Sequence, residues 1–393
     1  MIGWWSVALG AELVVHGQQV LPVDGPPIED GVVVVRDGRI VAVGQHGEVA
    51  LPAGAEELSG GVVTPGLVDG LSVVGLSGVL NRSPDQDHGE PGMAVAPELR
   101  ALDAYDPYEP LVAWLRGFGV TTVQTGPSPG APVGGRTLIA RTLAAPADEV
   151  AMVPDGSLVV TLGEPAKAFP GAHTRMGAAA RVRQAFATAR EYRERRRLPL
   201  ADRAPVDLGQ EALVDALERR RRVVFVAEQA DDLATALRIA EEYGLDAVLA
   251  GAAEGWLVRD AIAAAGVPVL VGPTMSRTWS TTETVNASFA NAGLLADAGV
   301  PIALMSGYEG YVPKVRVVLF EAQVAAREGL GPERALRAIT LGPAEVLGVA
   351  DRVGSLTPGK QADLVVFDGD PLEYTSHVCA VVIGGEIVER TCR

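Results

Sequence analysis

The sequence contains little cysteine, lysine or histidine, and each shortage excludes a class of site. Its two cysteines, Cys379 and Cys392, are too few for a disulfide framework or a cysteine-rich zinc module. Only three of the 33 basic residues are lysines, and 49 acidic residues bring the net charge to −16. A chain this acidic repels a phosphate backbone, so we expect no nucleic-acid partner. The five histidines limit any metal chemistry.

Long hydrophobic runs are also absent. The mean hydropathy of +0.21 is high, yet no window approaches eighteen uninterrupted apolar residues, so no transmembrane segment is predicted. Residues 1–10 are apolar, but no lysine or arginine precedes them and Glu12 follows closely. A signal peptide needs a cationic start and a longer apolar run. The sequence therefore predicts a cytoplasmic protein with no membrane partner.

The two ends of the chain are rich in β-branched residues. Residues 31–36 and 39–43 are strand-like and are joined by Asp37-Gly38, a strong two-residue hairpin signal. Near the other end, strand-like runs lie on both sides of Gly384-Gly385. Two β-rich ends around a long middle predict a small sheet domain assembled from both termini.

The middle of the chain alternates between apolar runs and helical stretches. The apolar runs are residues 120–123, 158–162, 223–227, 247–250, 267–271 and 302–305, and the helical stretches are 175–196, 211–221, 231–243, 287–298 and 332–347. Near-continuous apolar strands alternating with helices indicate a parallel sheet. The length of about 280 residues is close to the ~250 typical of a (β/α)8 barrel.

We therefore predict an α/β fold with a (β/α)8 TIM-type barrel over residues 66–347. Residues 1–65 together with 348–393 are predicted to form a composite β-sandwich domain. The alternative, an open doubly wound sheet, lacks a Gly-x-Gly-x-x-Gly turn after its first strand. In a barrel, ligands and chemistry lie at the carboxyl ends of the strands.

Several segments together resemble the amidohydrolase superfamily, in particular its imidazolonepropionase/prolidase-like branch. They are residues 60–69 (GGVVTPGLVD), 119–123 (GVTTV), 134–135, 163–164, 174–177, 338–340, 344–347, 351–360 (DRVGSLTPGK) and 362–365 (ADLV). Each motif alone is a weak to moderate signal. Together they occur in the order of the family and extend over nearly the whole chain. The resemblance implies one or two divalent metals at the strand ends, held by histidines, an aspartate and often a bridging carboxylate or carboxylated lysine.

The residues expected to hold those metals are missing. Where the family pattern has metal ligands, this chain has Leu71, Val73, Glu228, Ala250 and Gly307, and Val159 stands at the lysine position. The five histidines lie elsewhere in the sequence, in the terminal sheet regions or in loops. Apolar replacements cannot hold a divalent ion with ordinary coordination. We therefore expect no metal cofactor, and no other cofactor is implied.

Five residues are candidates for binding a small molecule at the barrel mouth: Ser72, Glu164, Glu228, Gln229 and Tyr308. Glu228, Glu164 and Tyr308 are also the catalytic candidates if the protein is active. Each has a structural alternative. Ser72 has no neighbouring histidine in the sequence, which favours a hydrogen-bonded serine over a nucleophile. Asp231 and Asp232 are predicted to cap the next helix, while Tyr308, followed by Glu309, either fills the vacated pocket or contacts a ligand.

Three functional hypotheses follow. The first is a non-catalytic member of the superfamily that acts as a partner subunit, regulator or ligand binder. The second is a metal-independent enzyme on the same barrel, and the third is an ordinary metallohydrolase whose ligands are misaligned. The histidine count disfavours the third. Family resemblance implies a homodimer or a heteromer with a paralogue that has kept its metal ligands.

Overall fold

The computed structural model describes residues 12–272, 274, 283–308 and 317–392. Its strands are β1 (Glu12–Val20), β2 (Ile28–Arg36), β3 (Arg39–Gln45), β4 (Glu56–Pro65), β5 (Leu67–Ser72), β6 (Val120–Thr125), β7 (Val133–Arg136), β8 (Leu138–Arg141), β9 (Ala151–Val153), β10 (Leu158–Thr161), β11 (Val223–Ala227), β12 (Ala247–Gly251), β13 (Val269–Val271), β14 (Ile302–Leu304), β15 (Leu364–Phe367), β16 (Val378–Ile383) and β17 (Glu386–Glu389). Its α-helices are α1 (Pro110–Arg116), α2 (Ala147–Val150), α3 (Arg175–Arg196), α4 (Leu208–Leu217), α5 (Ala230–Tyr243), α6 (Arg259–Ala265), α7 (Asn291–Asp297), α8 (Val317–Ala325), α9 (Pro332–Arg337) and α10 (Leu341–Leu347). In the described part of the chain, no helix is long and apolar enough to cross a membrane.

Strands from both termini form one seven-stranded sheet in the order β17-β16-β15-β4-β1-β2-β3. The predicted hairpin between β2 and β3 is present, with Asp37 and Gly38 both at positive φ (51° and 72°). Where a sandwich of two sheets was predicted, the strands make a single hydrogen-bonded sheet. The reason is the length of β4, which pairs with β1 up to Val63 and with β15 from Val62 onward. One strand thus connects the two halves.

Strands β10 to β14 form a run of parallel strands in the larger central sheet. They pair in chain order, β10 with β11 through to β13 with β14. The side chains of β11 and β12 are buried along their whole length, as expected for a parallel sheet that is covered on both faces. The predicted alternation of strand and helix is therefore present over this half of the barrel.

The segment between β6 and β10 runs against its neighbours. β8 pairs antiparallel with β6, and β7 pairs antiparallel with β10, with Thr137 at the bend between them. Gly134 and Gly135, one of the segments that resemble the family, lie in β7. A Cβ at Gly135 would lie 2.8 Å from the carbonyl oxygen of Leu99, so glycine permits the close approach. The all-parallel order that was predicted does not hold at this position.

Strands β5 and β14 meet through a short seam. The amide of Gly307 donates to the carbonyl of Leu71 at 3.1 Å, next to a parallel bridge between Ser72 and Gly307. The Asp69 carboxylate extends the seam, because its Oδ1 accepts from the amide of Ser306 at 2.9 Å. A buried side chain thus supplies hydrogen bonds where the strand pairing is short.

The predicted helix over residues 332–347 is two helices, α9 and α10. The backbone of the residues between them forms hydrogen bonds with the barrel strands. The carbonyl of Ala338 accepts from Leu304 at 2.7 Å, and the carbonyl of Ile339 accepts from Val68 at 2.8 Å. Because these carbonyls bond to strands, they are not available to a continuous helix.

The terminal sheet is attached to the central strands by hydrogen bonds and ion pairs. The amide of Gly66 donates to the carbonyl of Asp363 at 2.8 Å, and the buried Asp363 carboxylate lies 3.5 Å from Arg141. Arg116 of α1 lies 3.3 Å from Glu389 of β17. A disulfide between Cys379 and Cys392, for which the sequence carries no signal, spans β17.

Candidate functional site

The central strands enclose an apolar cluster, here called the inner cluster. It consists of Leu71, Val73, Val159, Val224, Val226, Val248, Ala250, Leu270, Ala303, Met305, Tyr308 and Val346. On β11, Val224 and Val226 point into it while Val223 and Phe225 pack with the helices, because successive strand residues face opposite sides. The inner cluster therefore contains the inward-pointing side chains of these strands.

Four positions at which the family resemblance implies a metal ligand or the lysine belong to the inner cluster. Leu71, Val73, Val159 and Ala250 are each at most 1% exposed. Their side chains carry no atom that coordinates a cation. These four positions are therefore filled by buried aliphatic side chains.

Gly307 and Tyr308 follow β14 and contribute to the same region. Gly307 has a φ of 85°, a value that glycine adopts readily. Tyr308 is 6% exposed, and no hydrogen bond to its buried hydroxyl is found among the described residues. Burial and the nearby Glu228 raise the pKa of this phenol well above its ordinary value. Tyr308 thus packs as part of the inner cluster, and Glu309 lies outside the described residues.

Glu228 stands directly after β11 and is partly exposed. Its Oε2 accepts from the amide of Ala253 at 3.0 Å. Gly251, at a φ of 85°, leaves room for the carboxylate, because a Cβ there would overlap it. Burial of the carboxyl group, and secondarily the charge of Glu283, raise the pKa of Glu228 to about 7. This carboxyl group is therefore poised to take up or release a proton near neutral pH.

Arg175, the first residue of α3, is the centre of a polar network beside Glu228. Its Nε donates to Asp232 at 2.8 Å, and its Nη2 donates to Gln229 and to Glu283, each at 2.5 Å. The amide of Glu164 donates to Glu283 at 3.2 Å. The structure thus brings the predicted residues Glu164, Gln229 and Glu228 into one neighbourhood.

Glu283 and Arg175 were not identified from the sequence. Glu283 is 4% exposed, and within the described residues its Oε2 is buried without a hydrogen-bond partner. Burial raises the pKa of Glu283, although the charge of Arg175 opposes the shift. Glu283 lies 108 residues from Arg175 in the chain, so no local pattern connects them.

Of the two residues predicted to cap α5, Asp231 satisfies a first-turn amide, because its Oδ1 accepts from the amide of Asp232 at 2.9 Å. The prediction for Asp232 was wrong. The residue at the helix N-cap is Gln229, and its side chain makes no capping hydrogen bond. Asp232 is 3% exposed and pairs with Arg175. The amide of Ala230 is instead satisfied by Glu254 Oε2 at 2.9 Å. Asp232 therefore belongs to the polar network around Arg175 and does not cap the helix.

Ser72 is fully buried at the seam, away from this network. Its Oγ accepts from the amide of Val74 at 3.2 Å. Asp69, also fully buried, accepts from Ser306 through both the amide and the hydroxyl. Burial raises the pKa of Asp69 from 3.8 to about 7, against the opposing effect of these hydrogen bonds. Ser72 and Asp69 therefore have structural hydrogen-bonding roles at the seam.

Asp69→Asn should remove a pH dependence of stability. The folded state binds the Asp69 proton more tightly than the unfolded state, so its contribution is complete below pH 3.8 and is lost as the pH rises to about 7. We expect the free energy of unfolding of wild type to fall relative to Asp69→Asn by up to about 1.4 kcal/mol per pH unit across that window. Urea denaturation at several pH values measures the difference.

Ser306→Ala is the matched control for Asp69→Asn. It keeps the carboxyl group and removes a hydroxyl that lowers the pKa of Asp69, so its pH dependence should be at least as steep as that of wild type. A stability difference between wild type and Asp69→Asn that stays constant from pH 4 to 8 would contradict the raised pKa.

All five histidines of the chain lie in the described residues, outside the inner cluster. His16 lies on β1 and stacks edge-on with His46, His173 is exposed before α3, His377 pairs with Asp368, and His88 contacts Ser128 and Gln86. Across the described ranges, no group of three His, Cys, Asp or Glu side chains is arranged to hold a metal ion. The contact between His88 and Ser128, 40 residues apart, has no sequence signal and was missed.

Comparison with known proteins identifies the family. The model of the Amidohydrolase family matches residues 283–388. The crystal structure of an amidohydrolase from Thermotoga maritima MSB8 superposes with a TM-score of 0.90 at 30% identity, over 96% of this chain and 100% of that one. The chain belongs to the amidohydrolase superfamily. The predicted superfamily is thereby confirmed. Its members imply a TIM-type barrel with an additional domain, and the described central strands form a six-stranded and a four-stranded sheet.

Other relatives of this superfamily member are more distant or partial. Amidohydrolase tasK of Hapsidospora irregularis is 27% identical over 91% of this chain, which spans 39% of that protein. Imidazolonepropionase of Geobacillus kaustophilus is 38% identical over 106 residues, a quarter of each chain. A prolidase complexed with N-methylphosphonate-L-proline shares the fold at a TM-score of 0.61 and 20% identity, over 97% of this chain and 100% of that chain. The chain thus spans well under two thirds of these two curated relatives.

Proposed function

We propose that this amidohydrolase-superfamily protein has lost metal-dependent hydrolysis and is a non-catalytic member that binds a small molecule. The observation that supports this proposal is the inner cluster. Leu71, Val73 and Ala250 occupy family ligand positions, are buried, and belong to the same apolar cluster. A regulatory or partner-subunit role, as a homodimer or with a metal-binding paralogue, belongs to the same proposal.

The residues at the family metal positions do not fit a divalent ion. Zinc takes sulfur, imidazole nitrogen or carboxylate oxygen as ligands, usually four in a structural site and three in a catalytic one. Of the five positions, only Glu228 carries such an atom. The loss is energetically large, because lowering the pKa of water from 15.7 to about 7 contributes roughly 12 kcal/mol to making hydroxide. Carboxylates alone are a poor substitute in amide hydrolysis.

Ligand binding is supported by the polar groups beside Glu228. Glu283 has a buried oxygen without a partner among the described residues, and Glu228 lies close enough to raise the pKa of Tyr308. Two carboxyl groups next to an apolar interior favour a small ligand with N–H donors and an apolar body. Glu164 and Gln229 line the same neighbourhood, whereas Ser72 is engaged at the seam.

Protein purified from zinc- or manganese-supplemented medium should contain far less than one metal ion per chain. The physical reason is the donor set, in which a single carboxyl group with a pKa of about 7 competes poorly with water for a cation. Elemental analysis after gel filtration measures the content. Glu228→Gln, which removes that one donor, is the matched control and should show the same metal content. A stoichiometric ion lost in Glu228→Gln would overturn the proposal.

A metal-independent enzyme on the same barrel is the second candidate. The observation in its favour is the pKa of about 7 for Glu228, since a general acid or base works best near the operating pH. Tyr308 and Glu164 would assist as hydrogen-bonding groups. Such a site suits cyclisation, isomerisation or lactone opening, reactions that require less stabilisation than amide hydrolysis.

Lactone opening in a buffered pH-indicator assay distinguishes the two candidates. If Glu228 is a general acid or base, Glu228→Gln should lower the rate 10²- to 10⁴-fold, while the exposed Glu241→Gln on α5 should leave it unchanged. If the protein is non-catalytic at this site, Glu228→Gln and Glu241→Gln should open every lactone of a panel at the wild-type rate.

A further inference from the structure

Two loops that follow the first central strands place a serine against a histidine. His88 lies after β5 and Ser128 lies after β6, at the carboxyl ends where barrel ligands bind. His88 Nδ1 is 2.8 Å from Ser128 Oγ. The amide of Ser128 also donates to the carbonyl of His88 at 2.8 Å. The backbone contact holds the two side chains together, and both are half-buried.

The tautomer of His88 follows from its neighbours. Asp85 Oδ1 lies 3.0 Å from the Gln86 amide, and a carboxylate can only accept, so the Gln86 group facing it is Nε2. Gln86 Oε1 then faces His88 Nε2 at 3.0 Å and must accept its hydrogen. His88 Nδ1 therefore presents its lone pair to the hydroxyl of Ser128. Burial lowers the pKa of His88, although the charge of Asp87 opposes this shift, so the ring is neutral at pH 7.

The serine and the histidine border adjoining cavities. Ser128 lines a cavity of about 360 Å³ with mostly apolar walls, which include Met93 and Phe169. His88 lines a second cavity of about 320 Å³, and Gly89, Glu90, Leu99 and Pro127 are common to both. The first volume is at the lower end of the range for small-molecule sites. An apolar group of modest size can therefore reach the hydroxyl.

We propose that Ser128 is a nucleophile and His88 its general base, forming a second site that cleaves small apolar carboxylic esters. The arrangement of nucleophile, base and orienting acceptor is that of serine acyl transfer, with Gln86 as the positioning residue. This goes beyond the proposed function, because it uses neither Glu228 nor the family metal position. The proposed non-catalytic role concerns only the family site at the inner cluster, so the two proposals stand or fall separately.

The reaction balances with water as the only co-reactant. Ser128 Oγ attacks the ester carbonyl carbon while its proton passes to His88 Nδ1. The tetrahedral intermediate collapses, the bond to the alkoxy oxygen breaks, and the alcohol leaves with the proton from His88. Water, deprotonated by His88, then attacks the acyl carbon. The bond to Ser128 Oγ breaks, the carboxylic acid leaves, and His88 returns the proton to Ser128 Oγ.

An alkyl fluorophosphonate tests the nucleophile directly. Ser128 would attack phosphorus and displace fluoride, leaving a covalent adduct that intact-protein mass spectrometry counts and peptide mapping locates. We expect one adduct per chain on Ser128 and, with p-nitrophenyl butyrate, release of p-nitrophenolate above the buffer rate. Ser128→Ala should lose both, and His88→Gln should label at least 100-fold more slowly.

Ser59→Ala is the matched control. Ser59 is exposed and pairs in register with His16 across β4 and β1, so it has a neighbouring histidine without either cavity. It should label and turn over ester like wild type. Absence of an adduct on Ser128 in folded wild-type protein would overturn the proposal without reference to any variant. Equal labelling rates in wild type and His88→Gln would equally overturn the role of the base.

Discussion

Zinc should bind to a variant that restores the family ligand set, although it should not bind to wild type. The variant carries Leu71→His, Val73→His, Glu228→His, Ala250→His and Gly307→Asp. Leu71, Val73 and Ala250 already point into the inner cluster, so the new imidazoles should converge there. Gly307 has a φ of 85°, a region that aspartate tolerates better than most residues.

The restored site should be weaker than a natural one. Each unpaired buried imidazole costs about 1–3 kcal/mol in the metal-free protein, and the larger side chain at Ala250 adds strain of about 1–3 kcal/mol. Groups that would orient the imidazoles are also missing, which weakens affinity roughly 10–100-fold. We therefore expect zinc binding with little hydrolysis, and weaker uptake as the pH falls toward ~6, where imidazole becomes protonated.

Thermal unfolding with and without zinc measures this effect. Zinc at 100 times its dissociation constant should stabilise the variant by about 2.7 kcal/mol and leave wild type unchanged. A control with asparagine at the same five positions carries a comparable burial cost without imidazole ligands, and it should not respond. If zinc does not stabilise a folded histidine variant, then Tyr308 and its neighbours fill the space that the ion would need.

Deleting residues 350–393 should unfold the whole protein. The deletion removes β15, whose partner β4 leads directly into β5. It exposes the partners of buried side chains such as Val365, Phe367 and Val381, each worth about 1.5–3 kcal/mol. Arg141 also loses its buried partner Asp363. The three named side chains alone account for about 4.5–9 kcal/mol, a large part of the 5–15 kcal/mol of a typical domain.

Circular dichroism and urea unfolding of the truncated chain measure this outcome. We expect an insoluble product or one without a cooperative transition. Full-length Cys392→Ser is the control, because it keeps every strand and removes only the disulfide to Cys379. It should remain folded. A soluble truncation with the melting behaviour of wild type would show that the terminal sheet and the central strands fold independently.

Much of the fold was predictable because it depends on local signals. The hairpin at Asp37-Gly38 requires two residues at positive φ, a property of those residue types. Strands such as β11 and β12 are continuous apolar runs bounded by polar residues, so their burial on both faces could be predicted from the sequence. The antiparallel segment β7–β8 was not predictable, because strand direction depends on the partners β6 and β10.

The same division applies to the candidate sites. The absence of ligand atoms at Leu71, Val73 and Ala250 was evident from residue identity together with the family pattern. The close packing of those residues, the raised pKa of Glu228 and the network of Arg175 with Glu283 depend on the fold. So does the contact of His88 with Ser128. The sequence specified which chemical groups the chain carries. Burial and side-chain contacts between residues far apart in the sequence arise only when folding brings the strand ends together.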